Sequence, residues 1–188
     1  MLLVCATLAC APGARSGTVD PSTIDEALRA RPAPPAPAER AADAVIWSKH
    51  LGALTVDELA PDRAVRRPGI VLPTVSRPSL LALFSTTCAP CLQEMPLLEA
   101  LAREGYAVRG LSLDTGSLPE LAAALEARDV TYPIYVVTAA ALPALGRAAD
   151  GLPLTLALDA SGRVREAHRG RLDRDGALAA LARVARAR

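Results

Sequence analysis

Leu83-Phe84-Ser85-Thr86-Thr87-Cys88-Ala89-Pro90-Cys91-Leu92-Gln93-Glu94-Met95-Pro96 is the stretch on which the fold turns. Before it, Ser79 to Phe84 is a short apolar run that predicts a buried strand. After it, Pro90 to Glu104 reads as a helix, with Met95, Leu98, Leu101 and Ala102 on one face. Cys88 and Cys91 therefore fall where strand gives way to helix. Unpaired backbone N–H groups and the helix dipole stabilise an anion at a helix's first turn. A thiolate there has a lowered pKa, and the thiolate is the nucleophile of thiol–disulfide exchange. Two intervening residues let the second sulfur reach the first. Pro90 suits a first turn, where its missing N–H costs nothing.

A structural staple and a metal site are the other readings of this pair. A bridge across two residues closes a short loop, worth about 2 kcal/mol, and longer loops gain more, so stapling alone makes poor use of the spacing. Zinc needs two further ligands. Only His50, His168, Cys5 and Cys10 are available, none at a paired spacing. Redox chemistry is the expectation, with no metal and no cofactor. Glu94, three residues after Cys91, falls near the face carrying Cys91 and Met95. It is either a solvated helix glutamate or a partly buried carboxyl with a raised pKa that exchanges protons with the second sulfur. From the residues alone, Pro153 is a strand-edge proline, His168 an ordinary strand residue and Trp47 a packing residue.

Further along, Tyr106 to Asp114 predicts a strand, and Ser117-x-x-Glu120 a capping box opening a helix with Leu118, Leu121 and Leu125 on one face. Tyr132 to Val137 is β-branched and aromatic, hence a strand. Ala139 to Ala149 predicts a helix. Leu154 to Asp159 and Val164 to His168 flank the hairpin turn Ala160-Ser161-Gly162. Asp173 to Ala187 predicts a closing helix with Leu178, Leu181 and Ala185 inward. The order β-α-β-α-β-α-β-β-α argues for an α/β sheet of mixed strand directions. Residues 46 to 79, interrupted by Pro61, Pro68, Pro73 and Pro78, support only short strands packing on that sheet.

The chain has 188 residues, 51% of them apolar and 22% charged, enough for one domain with a real core. A net charge of +1 carries no signature of a nucleic-acid binder. The last 26 residues hold eight Arg against three acids, a solvated face. No apolar run approaches the ~20 residues that span a bilayer.

Residues 1–11 are apolar and stop at Pro12-Gly13, the length of a secretory signal core. No positive residue precedes Arg15. Thr7-Leu8-Ala9-Cys10 resembles a bacterial lipoprotein cleavage site, with Cys10 the acylated residue; another secreted form and a chance apolar start are the alternatives. Residues 12–45 form a Pro/Ala-rich linker, with six prolines between positions 12 and 44, and read as a semi-rigid spacer. The folded domain is expected over 46–188, exported to the periplasm and lipid-anchored through Cys10.

The segment from Leu83 to Pro96 resembles the active-site segment of the thioredoxin-like superfamily, most closely its exported TlpA/ResA-like branch. Glu94 and Pro96 match that branch's extension beyond the dithiol. Gly110-Leu111-Ser112-Leu113-Asp114 resembles its second core strand, and Gly151-Leu152-Pro153 through Gly162-Arg163-Val164 its proline strand and hairpin. The resemblance covers residues 79–188. It implies a thioredoxin-like fold, a mixed central sheet flanked by helices, with 115–138 as a helix-strand insertion. It makes Cys88 the attacking thiol, Cys91 the resolving one and Glu94 a buried acid near the dithiol. Pro153 would be a cis-proline facing the sulfurs, and Leu152 would offer its backbone to a bound peptide. Thr87, at the substrate-binding rim, stands where the branch typically carries Trp, a departure that bears on partner range and redox potential.

The function implied is an exported thiol–disulfide oxidoreductase, acting as a reductant on protein thiols and disulfides. Its partners would include a membrane redox protein or apocytochrome c, as in cytochrome c maturation, and no nucleic acid. The alternatives are a peroxiredoxin-like thiol peroxidase and a copper-binding assembly module, for which two thiolates are suitably soft ligands.

Overall fold

The computed structural model describes residues 43–44, 46–49, 51–52, 54–72, 75–145 and 151–187, all within the unit Pro35–Arg188. The leader, the linker as far as residue 42, Cys10 and His50 lie outside the described residues. The elements are β1 (Thr55–Leu59), β2 (Val65–Val71), β3 (Ser79–Phe84), α1 (Ala89–Arg103), β4 (Ala107–Ser112), α2 (Leu118–Glu126), β5 (Ile134–Val137), α3 (Leu142–Leu145), β6 (Leu154–Leu158), β7 (Val164–Arg169) and α4 (Arg174–Arg186). From β3 onward this is the expected alternation.

The strands form one seven-stranded sheet in the order β2-β1-β5-β4-β3-β6-β7. β3, β4 and β5 run parallel, while β6, β7, β1 and β2 pair antiparallel with their neighbours. A strand covered on both faces reads as a continuous apolar run, and all of β3 is buried. Its side chains alternate between two layers. Leu80, Ala82 and Phe84 join Met95, Leu98 and Leu101 of α1, Leu121 and Leu125 of α2, and Leu181 and Val184 of α4. Leu81 and Leu83 face the other way, onto Trp47, Leu51, Leu145 and Ala167. Gly110 of β4 makes room on the first side: a Cβ there would lie 2.5 Å from Ile134 Cδ1 and 3.1 Å from the Phe84 ring.

Several expectations need correction. Residues 46–79 hold more than short strands: residues 46–49 are helical, and Trp47 is fully buried as an anchor of the second layer. Ala44, Trp47 and Leu51 fall at helical spacing and are all buried. Pro68 is accommodated because β2 is an edge strand. Leu118 is exposed rather than inward, because it sits in the first turn of α2, beside Pro119, where the apolar stripe of Leu121 and Leu125 has yet to begin. In α4 the buried stripe is Ala177, Ala180, Leu181 and Val184; Leu178 is half-buried and Ala185 exposed. That stripe obeys the i, i+3, i+4, i+7 rule, which puts Ala185 one step round from it. The helix expected over Ala139 to Ala149 is the single turn Leu142–Leu145, with 146–150 outside the described residues.

Local chemistry sets the boundaries. Ser117 Oγ accepts from the Glu120 N–H at 3.3 Å and caps α2. Asp173 Oδ1 does the same for α4, accepting from the Gly176 N–H at 2.8 Å. In the β6–β7 turn, Asp159 Oδ1 accepts from the N–H and hydroxyl of Ser161, and Gly162 takes a φ of 80°. Among the described residues no helix is long and apolar enough to cross a membrane.

Candidate active site

The chain leaves β3 at Phe84 and turns through Ser85, Thr86 and Thr87, with the Cys88 N–H donating to the Ser85 carbonyl at 3.1 Å. Asp114, just beyond β4, holds this turn. Its carboxylate accepts from the Thr86 N–H at 2.9 Å and the Thr86 hydroxyl at 3.0 Å, and from the Ser112 hydroxyl at 2.8 Å. Thr87 is exposed, its hydroxyl 3.0 Å from that of Ser85.

Cys88 is the N-cap of α1, and its Sγ accepts from the Cys91 N–H at 3.2 Å. Pro90 occupies the first turn without wasting a donor. Cys88 and Cys91 are joined as a disulfide. The two sulfur-bearing residues differ in access: Cys88 is half-buried, whereas Cys91 is 2% exposed. In the dithiol state the same N–H and the N-terminal end of the α1 dipole favour negative charge on Cys88.

Glu94 lies one turn further along α1, on the side that carries Cys91 and Met95, and is 3% exposed. Its Oε1 accepts from the Leu172 N–H at 2.6 Å. Burial pushes its pKa up to about 7, against the opposing pull of the Leu172 N–H and the Arg171 guanidinium. Buried Tyr132 is pushed up in the same way, first by desolvation and then by the Glu94 charge.

The peptide bond between Leu152 and Pro153 is cis, and Pro153 is buried. Leu154 pairs with Leu83, which sets Pro153 beside the C-terminal end of β3, the end from which the dithiol turn departs. Leu152 is half-buried and packs against both layers. The loop after β7 closes this region. The Gly170 N–H donates to the Pro153 carbonyl at 2.8 Å, and His168 Nε2 lies 3.2 Å from the Arg171 carbonyl. Arg171 Nη1 donates to Gln93 Oε1 at 3.4 Å.

Cys88, Cys91, Glu94, Leu152, Pro153 and Thr87 thus gather at one end of the sheet. Sequence reasoning missed Asp114, Arg171 and Leu172. Asp114 marks the end of a strand two residues after Ser112, a spacing that could have drawn attention; Arg171 and Leu172 carry no such signal. Two surface cavities, of about 530 and 330 Å³, are lined by other residues, among them Arg63, Arg103 and Tyr106. Among the described residues no group of three His, Cys, Asp or Glu side chains comes together as a metal site.

No family model matches the chain. No curated protein matches it significantly in sequence. Solved structures do resemble it. A secreted Mycobacterium tuberculosis disulfide oxidoreductase homologous to E. coli DsbE aligns at a TM-score of 0.56 and 12% identity, over 72% of this chain and 98% of that one. StoA from Bacillus subtilis aligns at 0.52 and 13%, over 69% and 98%. A thioredoxin-related protein from Neisseria meningitidis serogroup B aligns at 0.52 and 20%, over 63% and 93%. Identities this low speak to the fold alone. The chain has the thioredoxin-like fold.

Proposed function

We propose that this protein is an exported thiol–disulfide oxidoreductase that reduces disulfides in other proteins. The observation that supports it most is the unequal pair at the start of α1, with a reachable Cys88 whose sulfur accepts a helix N–H and a buried Cys91 behind it. In the reduced protein, the Cys88 thiolate attacks one sulfur of a substrate disulfide. A mixed disulfide forms and the first substrate sulfur leaves as a thiolate, which takes a proton from water. Cys91 then loses its proton and attacks Cys88, and the second substrate sulfur leaves. The pair ends oxidised by two electrons and the substrate reduced by two. A dithiol of a membrane redox protein restores the starting state.

Glu94 takes the Cys91 proton in the resolving step, a role that suits a buried carboxyl poised near neutral pH. Thr87, Leu152 and Pro153 form the rim on which the substrate chain lies. The apolar leader supports export and Cys10 lipidation, and the Mycobacterium tuberculosis structure is of a secreted protein. An apocytochrome c is among the substrates such a reductant would serve.

The test is the reduction potential of the Cys88–Cys91 couple in a glutathione or dithiothreitol buffer. A value near about −270 mV supports a reductant, one near −120 mV an oxidant, and absence of a reversible couple overturns the reading. Cys88→Ser is expected to abolish exchange. Cys91→Ser should trap the substrate on Cys88, visible by mass spectrometry.

A further inference from the structure

We propose that Arg171 receives a carboxylate of the polypeptide whose disulfide meets Cys88, so that the preferred substrates carry Asp or Glu close to the reacting cysteine. This rests on the thiol–disulfide reading above and names its substrate class.

The geometry begins with how the loop is held. Arg171 lies between Gly170, whose N–H is bonded to the Pro153 carbonyl, and Leu172, whose N–H is bonded to the Glu94 carboxyl. Its own carbonyl faces His168 Nε2. The backbone is therefore fixed both to the proline strand and to the dithiol helix, while the side chain is exposed at the rim between them.

Arg165 grips Asp159, Arg169 grips Asp43, Arg174 grips Glu104 and Arg183 grips Glu166. Arg171 forms no ion pair among the described residues; its guanidinium donates only to the neutral amide of Gln93. It shares that lack with Arg77, Arg128 and Arg163 among the described residues, and what sets it apart is its place between the proline strand and the dithiol helix. Of the acids nearest it, Asp173 caps α4, and Glu94 is buried against Leu172, where it feels the Arg171 charge without forming an ion pair. A guanidinium offers a planar fork of donors that matches a carboxylate. A chain laid along Pro153 would lie beside the loop that carries this fork, because Gly170, next to Arg171, is bonded to the Pro153 carbonyl.

The experiment uses the reduced protein and two disulfide-bridged peptides identical except for Asp or Asn beside the cysteine. Wild type is expected to favour the Asp peptide by about fivefold in kcat/KM, carried mainly by KM and shrinking as salt is raised. Arg171→Gln should remove the preference and Arg171→Lys keep part of it. Arg171 also pulls on Glu94, so Arg171→Gln shifts the pH profile for both peptides alike, and the Asp-to-Asn ratio at one pH cancels that shift. Equal wild-type rates on the two peptides, or a preference that survives Arg171→Gln, would overturn the proposal. A protein that reduces 2-hydroxyethyl disulfide yet shows no peptide preference loses only this proposal. A protein that reduces none of the three compounds loses the oxidoreductase reading as well.

Discussion

Arg128 Nε donates to the main-chain oxygen of Leu92 at 3.1 Å, and that oxygen is the one Pro96 leaves without a helical donor. Arg128 Nη1 also donates to the Ala124 carbonyl at 2.8 Å, so one guanidinium ties the end of α2 to the second turn of α1. A proline can sit five residues after Cys91 because another element supplies the missing donor.

Arg128→Met is therefore expected to cost about 1–2 kcal/mol of stability, the range for leaving a partly buried carbonyl unpaired. In a Pro96→Ala background the helix makes its own bond to Leu92, and the same change should cost less. Urea unfolding of the four proteins gives the coupling. An identical cost in both backgrounds would show that Arg128 does not compensate for Pro96.

Glu94 makes stability fall as pH rises. Its native pKa of about 7 lies above the ordinary 4.5, so between those values the folded protein keeps a proton that the unfolded chain has lost. Stability from this group is fully present below pH 4.5 and is lost as pH rises through about 7, by an upper bound of about 3 kcal/mol. Glu94→Gln, which keeps an acceptor for Leu172, should flatten the profile. Denaturant unfolding of the oxidised protein across this range is the measurement, and a variant with the wild-type slope would contradict the prediction.

The same carboxyl should appear in the kinetics. If Glu94 takes the Cys91 proton, the rate of the resolving step inflects near pH 7, and Glu94→Gln removes that inflection while Cys88 still forms the mixed disulfide. Stopped-flow exchange separates the two steps. An unchanged profile returns Glu94 to a purely structural position.

Asp159 works in the opposite direction at the other end of β6. Burial pushes its carboxyl up, but the Ser161 hydroxyl, Arg165 and the N–H groups of Arg163 and Ser161 together hold it at about 2. Its contribution is present above pH 3.8 and lost as pH falls towards 2. Asp159→Ala should cost about 2 kcal/mol at neutral pH, with less loss of stability on acidification than wild type shows. Thermal melts at neutral and acidic pH read both effects; a neutral substitution would remove Asp159 as the organiser of this hairpin.

What could be read from the amino acids was what neighbours in sequence decide. β3, the capping of α2 by Ser117 and the Asp159 to Val164 hairpin follow from periodicity and turn chemistry within a few residues. Cys88 and Cys91 identify themselves by position between strand and helix. The helical residues 46–49 were obscured by the prolines that follow them, and by Trp47, whose burial depends on strands far along the chain. The rest of the candidate site is long-range: Leu172 is 78 positions from Glu94, and Asp114 is 28 from Thr86. No local pattern marks such a backbone N–H as the partner of a carboxyl.

The alternation of β3 between two layers gives the molecule a phase. Leu80, Ala82 and Phe84 belong to the helices, and Leu81 and Leu83 to Trp47 and its companions. Removing one residue from within β3 would send every side chain on one side of the deletion to the opposite layer, setting it among residues packed for a different shape. It would also bring Cys88 out of the strand half a pleat early, with α1 starting from the wrong side of the sheet. The length of that strand is thus a clock setting for the dithiol: lengthening or shortening it by two residues moves the cysteines along the sheet, whereas a change of one turns them over.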